Sequence, residues 1–286
     1  MIRFDKDTKI LIVGLGLIGG SYAKALTKRG CRVSAITRKK EDIDYALNGG
    51  FIAEGSTEPN EALIKSADMI VFALYPTVFI EWIKNNQHLF APGTLITDVS
   101  GVKGSVVGAV QSILRDDVEF ISAHPMAGRE QSGVEFSDDS VFKGANYIVT
   151  PTEKNTPEAI EICKELGRAL GFAHISELSP EKHDEMIGFL SQLTHCIAVT
   201  LMTSNSEEGL EKYTGDSFRD LTRIAKINEV MWSELFLMNR EALLAQMDKF
   251  EGEFKKLRGY IEDGNREEMQ RMMISSTERR KKFDKK

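Results

Sequence analysis

Short apolar runs and helical stretches alternate along the first two-thirds of the chain. Runs rich in valine, isoleucine and leucine predict β-strands at Ile10–Val13, Arg32–Thr37, Met69–Leu74, Thr94–Thr97, Val118–Ser122 and Tyr147–Val149. Between the strands, Ile18–Arg29 and Thr77–His88 have the length and composition of helices. This alternation predicts an α/β fold built on a doubly wound parallel sheet.

The pattern changes after "ELSPEKHD" to long helices without strand signals. Ser179 can cap a helix and Pro180 suits its first position, so a helix is predicted to begin there. We therefore expect an α/β domain over residues 1–178 and an all-helical domain over residues 179–286. Apolar residues recur at helical spacing in the second part, as at Met231, Leu235 and Met238, which favours a helical bundle and a homodimer formed through it.

Composition and charge narrow the class of protein. The 286 residues are 42% hydrophobic and 28% charged, and the net charge of −6 lacks the basic excess of nucleic-acid-binding proteins. Cys31, Cys163 and Cys196 have no C-x-x-C spacing, which argues against a disulfide framework and a zinc site. The first residues lack the features of a signal peptide, and polar residues interrupt the apolar stretch Met186–Met202, which we interpret as a buried helix. We expect a cytoplasmic protein without a membrane partner.

The stretch "ILIVGLGLIGGS" places Gly14, Gly16 and Gly19 in G-x-G-x-x-G spacing, directly after a predicted strand and at the start of a helix. In a βαβ unit such glycines allow a tight turn, a close approach of a pyrophosphate and close helix–strand packing, and the helix N-terminus favours anions. This context predicts a dinucleotide site that also includes Leu17 and Ile18. A structural turn and an S-adenosylmethionine site are the alternatives.

The end of the second predicted strand bears on which dinucleotide binds. An NAD site usually carries Asp or Glu about 20 residues beyond the glycines. Here "VSAITRKK" has Thr37 in that place, followed by Arg38, Lys39 and Lys40. A hydroxyl and three cations suit a 2′-phosphate, so NADP is predicted over NAD. The alternative is that these cations face solvent at the start of the next helix.

Two further loops are predicted at the carboxyl edge of the sheet, where doubly wound folds bind their ligands. They are "TDVSGVKG", residues 97–104, and "AHPMAGREQSG", residues 123–133. His124 would stand just beyond a strand end, on the same edge as the nicotinamide, with Pro125 restricting its backbone and Gly128 leaving space for a ligand. His124 is therefore either a catalytic histidine or a hydrogen-bonded structural one.

Six ordered motifs resemble the prephenate/arogenate dehydrogenase family of tyrosine biosynthesis: "GLGLIGGS", "DVSGVKG", "HPMAGREQSGV", "SPEKHD", "QLTHCIA" and "FRDLTRIAKINEVMW". The similarity runs from about Lys9 to Phe254. The resemblance implies a nucleotide-binding domain followed by a helical dimerisation domain. It also implies an oxidative decarboxylation of prephenate to 4-hydroxyphenylpyruvate and CO2, with hydride transfer to NAD(P)+.

The resemblance implies roles for individual residues as well. His124, in the motif H-P-x-A-G, corresponds to the family's base for the substrate hydroxyl, a task that suits an imidazole. Arg223 corresponds to the family's clamp on a substrate carboxylate, and Asp220, three residues earlier on the same helix face, is predicted to orient it. The other matches to the family's substrate pocket are His195, His183, Trp232 and the gating carboxylate Glu130. For His195, His183 and Trp232, a structural role within their helices is the alternative.

Two positions depart from the family pattern. Family members commonly read D-x-G-S-x-K in the first loop, with the serine bonded to the substrate hydroxyl. That place is Gly101 here, and the serine is one residue earlier, Ser100, so either Ser100 substitutes after a local turn or the contact is missing. The second departure is Arg129, where Thr or Ser is frequent; Arg129 either adds a cation for a dianionic substrate or faces solvent.

Two other classes of function and a second substrate stay open. A β-hydroxyacid dehydrogenase would need a lysine in the helical domain as its acid or base, and a non-catalytic NADP-sensing regulator would need neither His124 nor Arg223. Arogenate carries an ammonium where prephenate carries a keto group. A carboxylate poised for that ammonium would indicate arogenate, and Asp184 and Asp216 are the candidates.

Overall fold

A six-stranded parallel sheet forms the centre of the computed structural model, which describes residues 5, 7–128 and 131–284. The strand order is β3-β2-β1-β4-β5-β6. The strands are β1 (Lys9–Val13), β2 (Arg32–Ile36), β3 (Glu54–Ser56), β4 (Met69–Phe72), β5 (Leu95–Asp98) and β6 (Glu119–Phe120). The predicted doubly wound fold is confirmed, and the order reverses between β1 and β4, where such sheets bind ligands at their carboxyl edge.

Twelve α-helices complete the described part of the chain. They are α1 (Leu17–Lys28), α2 (Lys40–Asn48), α3 (Glu61–Ser66), α4 (Pro76–Asn86), α5 (Gly104–Ile113), α6 (Pro157–Leu170), α7 (Pro180–Ile187), α8 (Leu193–Thr203), α9 (Asp216–Thr222), α10 (Glu229–Met238), α11 (Arg240–Glu262) and α12 (Arg266–Arg280). The helical character expected after Leu178 is therefore confirmed.

The core lies on both faces of the six-stranded sheet. Successive side chains of a strand point to opposite faces, so Ile10 and Ile12 of β1 pack with α1 and α6, whereas Leu11 and Val13 pack with α4 and α5. All four side chains are buried. Strands covered on both faces read as continuous apolar runs, which is why this one was evident in the sequence.

A second, three-stranded sheet carries His124. β7 (Ser122–Met126) pairs antiparallel with β8 (Asn146–Thr150), which pairs in parallel with β9 (His174–Glu177). The single strand predicted at Val118–Ser122 is wrong, because the chain leaves the first sheet after Phe120 and enters the second at Ser122. His124 consequently lies within a strand, opposite Ile148, and not in a loop.

The helix expected over Met186–Met202 is interrupted and only partly buried. A π-helical turn, Gly188–Gln192, joins α7 to α8. The expectation of a buried helix is wrong, because Phe189 is 54% exposed on the outward face. Within the described residues, Pro180–Thr203 is the single helical stretch long and apolar enough to cross a membrane, which alone is weak evidence for a membrane span. Its His183 and Gln192 are buried in polar contacts.

The chain divides into two compact units, Met1–Asn239 and Arg240–Lys286. The first contains both sheets together with α7 to α10. In the second, α11 packs against α12 after a turn at Gly264, whose φ of 63° is in the left-handed region that glycine tolerates. The domain boundary near Leu178 stays a prediction.

Candidate active site

The glycine loop between β1 and α1 has the sterics of a nucleotide cradle. A Cβ at Gly19 would lie 1.9 Å from the carbonyl oxygen of Gly14, and one at Gly14 would lie 2.4 Å from the carbonyl oxygen of Ala73. Gly14 also has a φ of 103°, which L side chains rarely adopt. A Cβ at Gly16 would meet nothing within 4 Å, so here the missing side chain leaves open space beside the start of α1. Gly14 and Gly19 serve close packing, and Gly16 leaves room for a phosphate to approach the backbone.

The remaining predicted cofactor residues border this loop. Leu17 and Ile18 form the first turn of α1, whose N-cap Gly16 offers no side-chain hydrogen bond. Helix-terminal N–H groups without a capping side chain are suited to bind an anion. At the end of β2, the Thr37 N–H donates to the Ser56 carbonyl over 3.1 Å, whereas Arg38 and Lys39 are exposed at the start of α2. The residues present thus fit a dinucleotide, with cations at the end of β2.

A chain of hydrogen bonds joins His124 to two residues of α7. His124 Nδ1 lies 2.9 Å from His183 Nε2, and His183 Nδ1 lies 2.8 Å from Asp184 Oδ1. The Asp184 carboxylate also accepts the main-chain N–H of Lys103 over 2.8 Å and that of Gly104 over 2.7 Å. We call the three side chains Asp184, His183 and His124 the relay.

The hydrogen-bond pattern assigns the tautomers of both histidines. An ionised carboxylate only accepts, so His183 Nδ1 carries a hydrogen, and a neutral His183 then accepts through Nε2. His124 must therefore donate through Nδ1, which leaves its Nε2 with a free electron pair. Burial lowers the pKa of His124 well below 6.5, and His183 and Lys103 add to the lowering. His124 Nε2 is thus a proton acceptor at neutral pH.

His183 is also held neutral. Burial lowers its pKa from 6.5, and the hydrogen bond with Asp184 opposes part of that lowering. The side chain is completely inaccessible to solvent, so it cannot touch a ligand. The resemblance to the family predicts that His183 lines the substrate pocket. In the structure, His183 instead lies behind His124.

The loop after β5 borders His124 Nε2 on another side. A Cβ at Gly101 would lie 3.8 Å from that nitrogen and 3.6 Å from Leu235 Cδ1 of α10. The neighbouring Ser100 is 5% exposed, and its hydroxyl has no hydrogen-bond partner among the described residues. Ser100 would reach a substrate only after its side chain turns out of this buried position. The space next to His124 Nε2 is therefore bordered by glycine and not by the serine.

The rings of His195 on α8 and Trp232 on α10 pack closely against each other in a tilted arrangement. Their ring centroids are 3.7 Å apart with an interplanar angle of 30°. His195 Nδ1 donates to the Ser191 carbonyl one turn earlier in the helix, over 2.9 Å. Because a carbonyl oxygen only accepts, this bond shows that Nδ1 of His195 carries a hydrogen. Both residues are half-buried.

Arg223 and Asp220 lie at the end of α9. Asp220 is exposed in the helix, and Arg223 begins the short 3₁₀ turn at 223–225, which packs against α8, the helix of His195. Arg223 is exposed as well. The predicted site residues Arg129 and Glu130 lie outside the described residues.

The sequence analysis predicts no catalytic role for three polar residues of the site. Asp98 and Lys103 form a fully buried ion pair beneath the relay, and Asp184 orients His183. Asp184 was considered as a partner for a substrate ammonium, but its carboxylate is already bonded to His183 and to two main-chain N–H groups. The other carboxylate considered, Asp216, forms an ion pair with Arg219 over 3.0 Å. In the sequence, the signal available for the pair of Asp98 and Lys103 is an Asp at the end of β5 and a Lys five residues later, just before α5.

Comparisons with known proteins place this site in a family. The model of the prephenate dehydrogenase nucleotide-binding domain matches residues 22–175, and that of the prephenate dehydrogenase dimerization domain matches residues 179–275. A prephenate dehydrogenase of Bacillus subtilis is 33% identical over 271 residues, covering 92% of this chain and 72% of that protein. A cyclohexadienyl dehydrogenase of Zymomonas mobilis is 30% identical over 269 residues, covering 90% of each.

The fold agrees with a solved structure. The crystal structure of prephenate dehydrogenase from A. aeolicus in complex with hydroxyphenyl propionate and NAD+ superimposes with a TM-score of 0.89 at 31% identity, covering 97% of this chain and 98% of that one. Two domain models cover most of the chain, and the matched relatives are dehydrogenases. The chain belongs to the prephenate dehydrogenase family of NAD(P)-dependent oxidoreductases.

Proposed function

We propose that this protein is a prephenate dehydrogenase, with His124 as the general base. It oxidises prephenate to 4-hydroxyphenylpyruvate and CO2. The observation that carries the proposal is the relay, which leaves Nε2 of His124 unprotonated at the carboxyl edge of a dinucleotide-binding sheet. A non-catalytic protein that only binds or senses the cofactor would not require such a base.

The chemistry needs a base because the substrate hydroxyl must lose its proton as its carbon is oxidised. His124 Nε2 accepts that proton, and a bound NAD(P)+ would supply the hydride acceptor for the same carbon. The ring carboxylate then leaves as CO2, the electron pair of the broken C–C bond completes the aromatic ring, and the phenolate oxygen takes back the proton held by His124. Asp184 stabilises the positive charge that develops across the two imidazoles, and a positioned base of this kind contributes about 10²–10⁴-fold.

Other residues would hold the substrate. Arg223 is proposed to bind a carboxylate, since a guanidinium binds carboxylates in bidentate geometry, and Asp220 to orient it. The adjacent rings of His195 and Trp232 are proposed to form an aromatic wall of the substrate pocket. Gly101 has no side chain to fill the position 3.8 Å from His124 Nε2, and this position is proposed to take the substrate hydroxyl.

Prephenate is preferred to arogenate as the substrate because of the state of two carboxylates. Asp184 is bonded within the relay, and Asp216 is paired with Arg219. Neither is poised to bind a substrate ammonium. The proposal therefore favours the substrate with a keto group.

NADP is the proposed cofactor, on the strength of Thr37 and the exposed cations at the end of β2, Arg38 and Lys39. NAD is the alternative, and NAD+ is bound in the related A. aeolicus structure. Replacing Arg38 by Ala should lower kcat/KM with NADP+ and leave that with NAD+ nearly unchanged. Equal use of both cofactors by the wild type would contradict the preference.

A homodimer through the helical part of the chain is proposed as well. Several large apolar side chains of this part are exposed to solvent, among them Phe189 (54% exposed), Val230 (61%) and Leu237 (71%). Exposed apolar side chains that are this numerous are typical of an interface with another chain. Size-exclusion chromatography with light scattering measures the molar mass of the protein and tests this proposal. A monomeric mass at micromolar concentration would contradict it. We also propose a cytoplasmic location and a domain boundary near Leu178.

The test of function is a direct assay. The purified protein is incubated with NADP+ or NAD+ and with prephenate or arogenate, and the absorbance of the reduced cofactor is followed. We expect turnover with prephenate and a loss of about 10²–10⁴-fold in kcat for His124→Asn with cofactor binding retained. Turnover with arogenate alone would change the substrate, and no turnover with either would refute the function.

A further inference from the structure

A buried ion pair lies beneath the relay and takes no part in the proton transfer described above. The side chains of Lys103 and Asp98 are both completely inaccessible to solvent. Lys103 Nζ lies 3.1 and 3.0 Å from the two carboxylate oxygens of Asp98, and it donates a third hydrogen bond to the Ala123 carbonyl over 2.7 Å. A buried ion pair often contributes little net stability, so its presence calls for another role.

The pair joins the segments that carry the site. Besides Lys103, Asp98 accepts the Ser122 hydroxyl over 2.5 Å and the Ala123 N–H over 3.3 Å, both in β7. It also accepts the Ser100 N–H over 2.9 Å in the loop after β5. These bonds fix the strand that carries His124 against the loop that borders His124 Nε2.

Lys103 reaches both ends of the relay. Its ammonium holds the carbonyl of Ala123, the residue before His124, and its main-chain N–H holds Asp184. One residue therefore sets the position of the base and that of the carboxylate which assigns the tautomers. Since errors of about 1 Å in such positions can cost about 10²-fold in rate, this linkage matters for catalysis.

We propose that Lys103, paired with Asp98, is a positioning residue for the dehydrogenase reaction, which fixes His124 relative to Asp184 and places a positive charge behind the relay. The inference rests on the proposed function. Lys103 itself touches neither substrate nor cofactor, because its side chain is enclosed.

The positive charge of Lys103 has a measurable effect on the pKa of His124. Among the described residues, the titratable groups that face His124 are His183 from α7 and Lys103 from the loop before α5, with Asp184 beyond the first and Asp98 beyond the second. Burial lowers the pKa of His124 most, and His183 and then Lys103 lower it further. Removal of the ammonium should therefore raise the pKa of His124.

The experiment compares two variants with a matched control. Lys103→Met removes the charge but keeps the length of the side chain, and it leaves Asp98 buried without its cation. The double variant Asp98→Asn/Lys103→Met removes both charges and keeps an acceptor oxygen at position 98. Lys164→Met is the control, because Lys164 on α6 is ion-paired with Glu161 and Glu177 outside the site.

For each protein, the melting temperature, KM for prephenate and cofactor, and kcat as a function of pH are measured. In the folded Lys103 variants we expect kcat to fall by about 10²-fold, with both KM values within about threefold of the wild type. In Lys103→Met the acid limb of the pH profile should move to higher pH, because the cation that lowers the pKa of His124 is lost. In the double variant two opposite charges are lost together, so the limb should move less. Lys164→Met should match the wild type in all of these.

The other outcomes overturn the proposal. A folded double variant with wild-type kcat, or a folded Lys103→Met variant with a lowered kcat and an unmoved acid limb, would show that Lys103 does not act through His124. If both variants failed to fold, the pair would be a folding element and not a positioning device. Wild-type protein without turnover on prephenate or arogenate would refute the proposed function instead, so the two failures are distinguishable.

Discussion

Replacement of Asp184 by Asn tests the relay at its carboxylate end. Asp184 accepts three hydrogen bonds, from His183 Nδ1, the Lys103 N–H and the Gly104 N–H, over 2.8, 2.8 and 2.7 Å. An amide nitrogen cannot accept, so in either orientation of the Asn side chain at least one donor loses its partner. The change is isosteric and introduces no cavity.

The two amide orientations set the size of the effect. If the oxygen faces His183, the tautomers are kept, but one hydrogen bond and the negative charge are lost, at about 1.5–3 kcal/mol. If the nitrogen faces His183, the ring must accept through Nδ1 and donate through Nε2. His124 then accepts through Nδ1 and carries its hydrogen on Nε2, so the base is lost.

We therefore expect kcat of Asp184→Asn to fall by at least about tenfold, and by about 10²–10⁴-fold if the tautomers invert. The free energy of unfolding should decrease by about 1.5–3 kcal/mol, measured by denaturant titration. Asp117→Asn is the control, because Asp117 is half-exposed and paired with Arg115 at the surface. Wild-type kcat and stability in Asp184→Asn would refute the relay.

Three further predictions follow from the site. The pKa of His124 lies well below 6.5, and protonation removes the base, so log kcat/KM should stay level as the pH falls through 6.5 and decrease only below it; an inflection at or above 6.5 would contradict this. Gly16→Ala should raise KM for the cofactor without changing the melting temperature. Gly19→Ala should raise this KM and also lower the melting temperature, because its Cβ would lie 1.9 Å from the Gly14 carbonyl oxygen. Equal stability of the two variants would contradict this prediction. Arg223→Ala should chiefly raise KM for prephenate, since a carboxylate clamp contributes ground-state binding, and an unchanged KM would reassign Arg223 to structure.

Local patterns explain which parts of the fold could be predicted from the sequence. Residues Ile10–Val13 of β1 are all apolar because both faces of the sheet are covered, and the glycine spacing that follows β1 spans only a few residues. β3 and β9 escaped prediction because "EGS" and "HISE" lack apolar alternation. β7 escaped because "SAHPM" contains a proline, which suits an edge strand but suggests a loop in the sequence.

The relay depends on contacts that no local pattern reveals. His124 and His183 are 59 residues apart in the sequence, and Lys103 and Asp184 are 81 apart. The resemblance to the family marked both histidines but not their order, so His183 was assigned to the substrate pocket although its side chain is enclosed behind His124. Only the packing of α7 against the loop before α5 brings the carboxylate, the two imidazoles and the buried lysine together.

The proposed chemistry depends on His124 being a neutral imidazole with its hydrogen on Nδ1 and a free electron pair on Nε2. Nitrogen-15 NMR of the histidine side chains, assigned with His124→Asn and His183→Asn, reports the protonation of each ring nitrogen directly. The relay predicts a neutral His124 ring protonated at Nδ1 at neutral pH, with the same tautomer at His183. A hydrogen on Nε2 of His124, or a doubly protonated ring at neutral pH, would contradict the account.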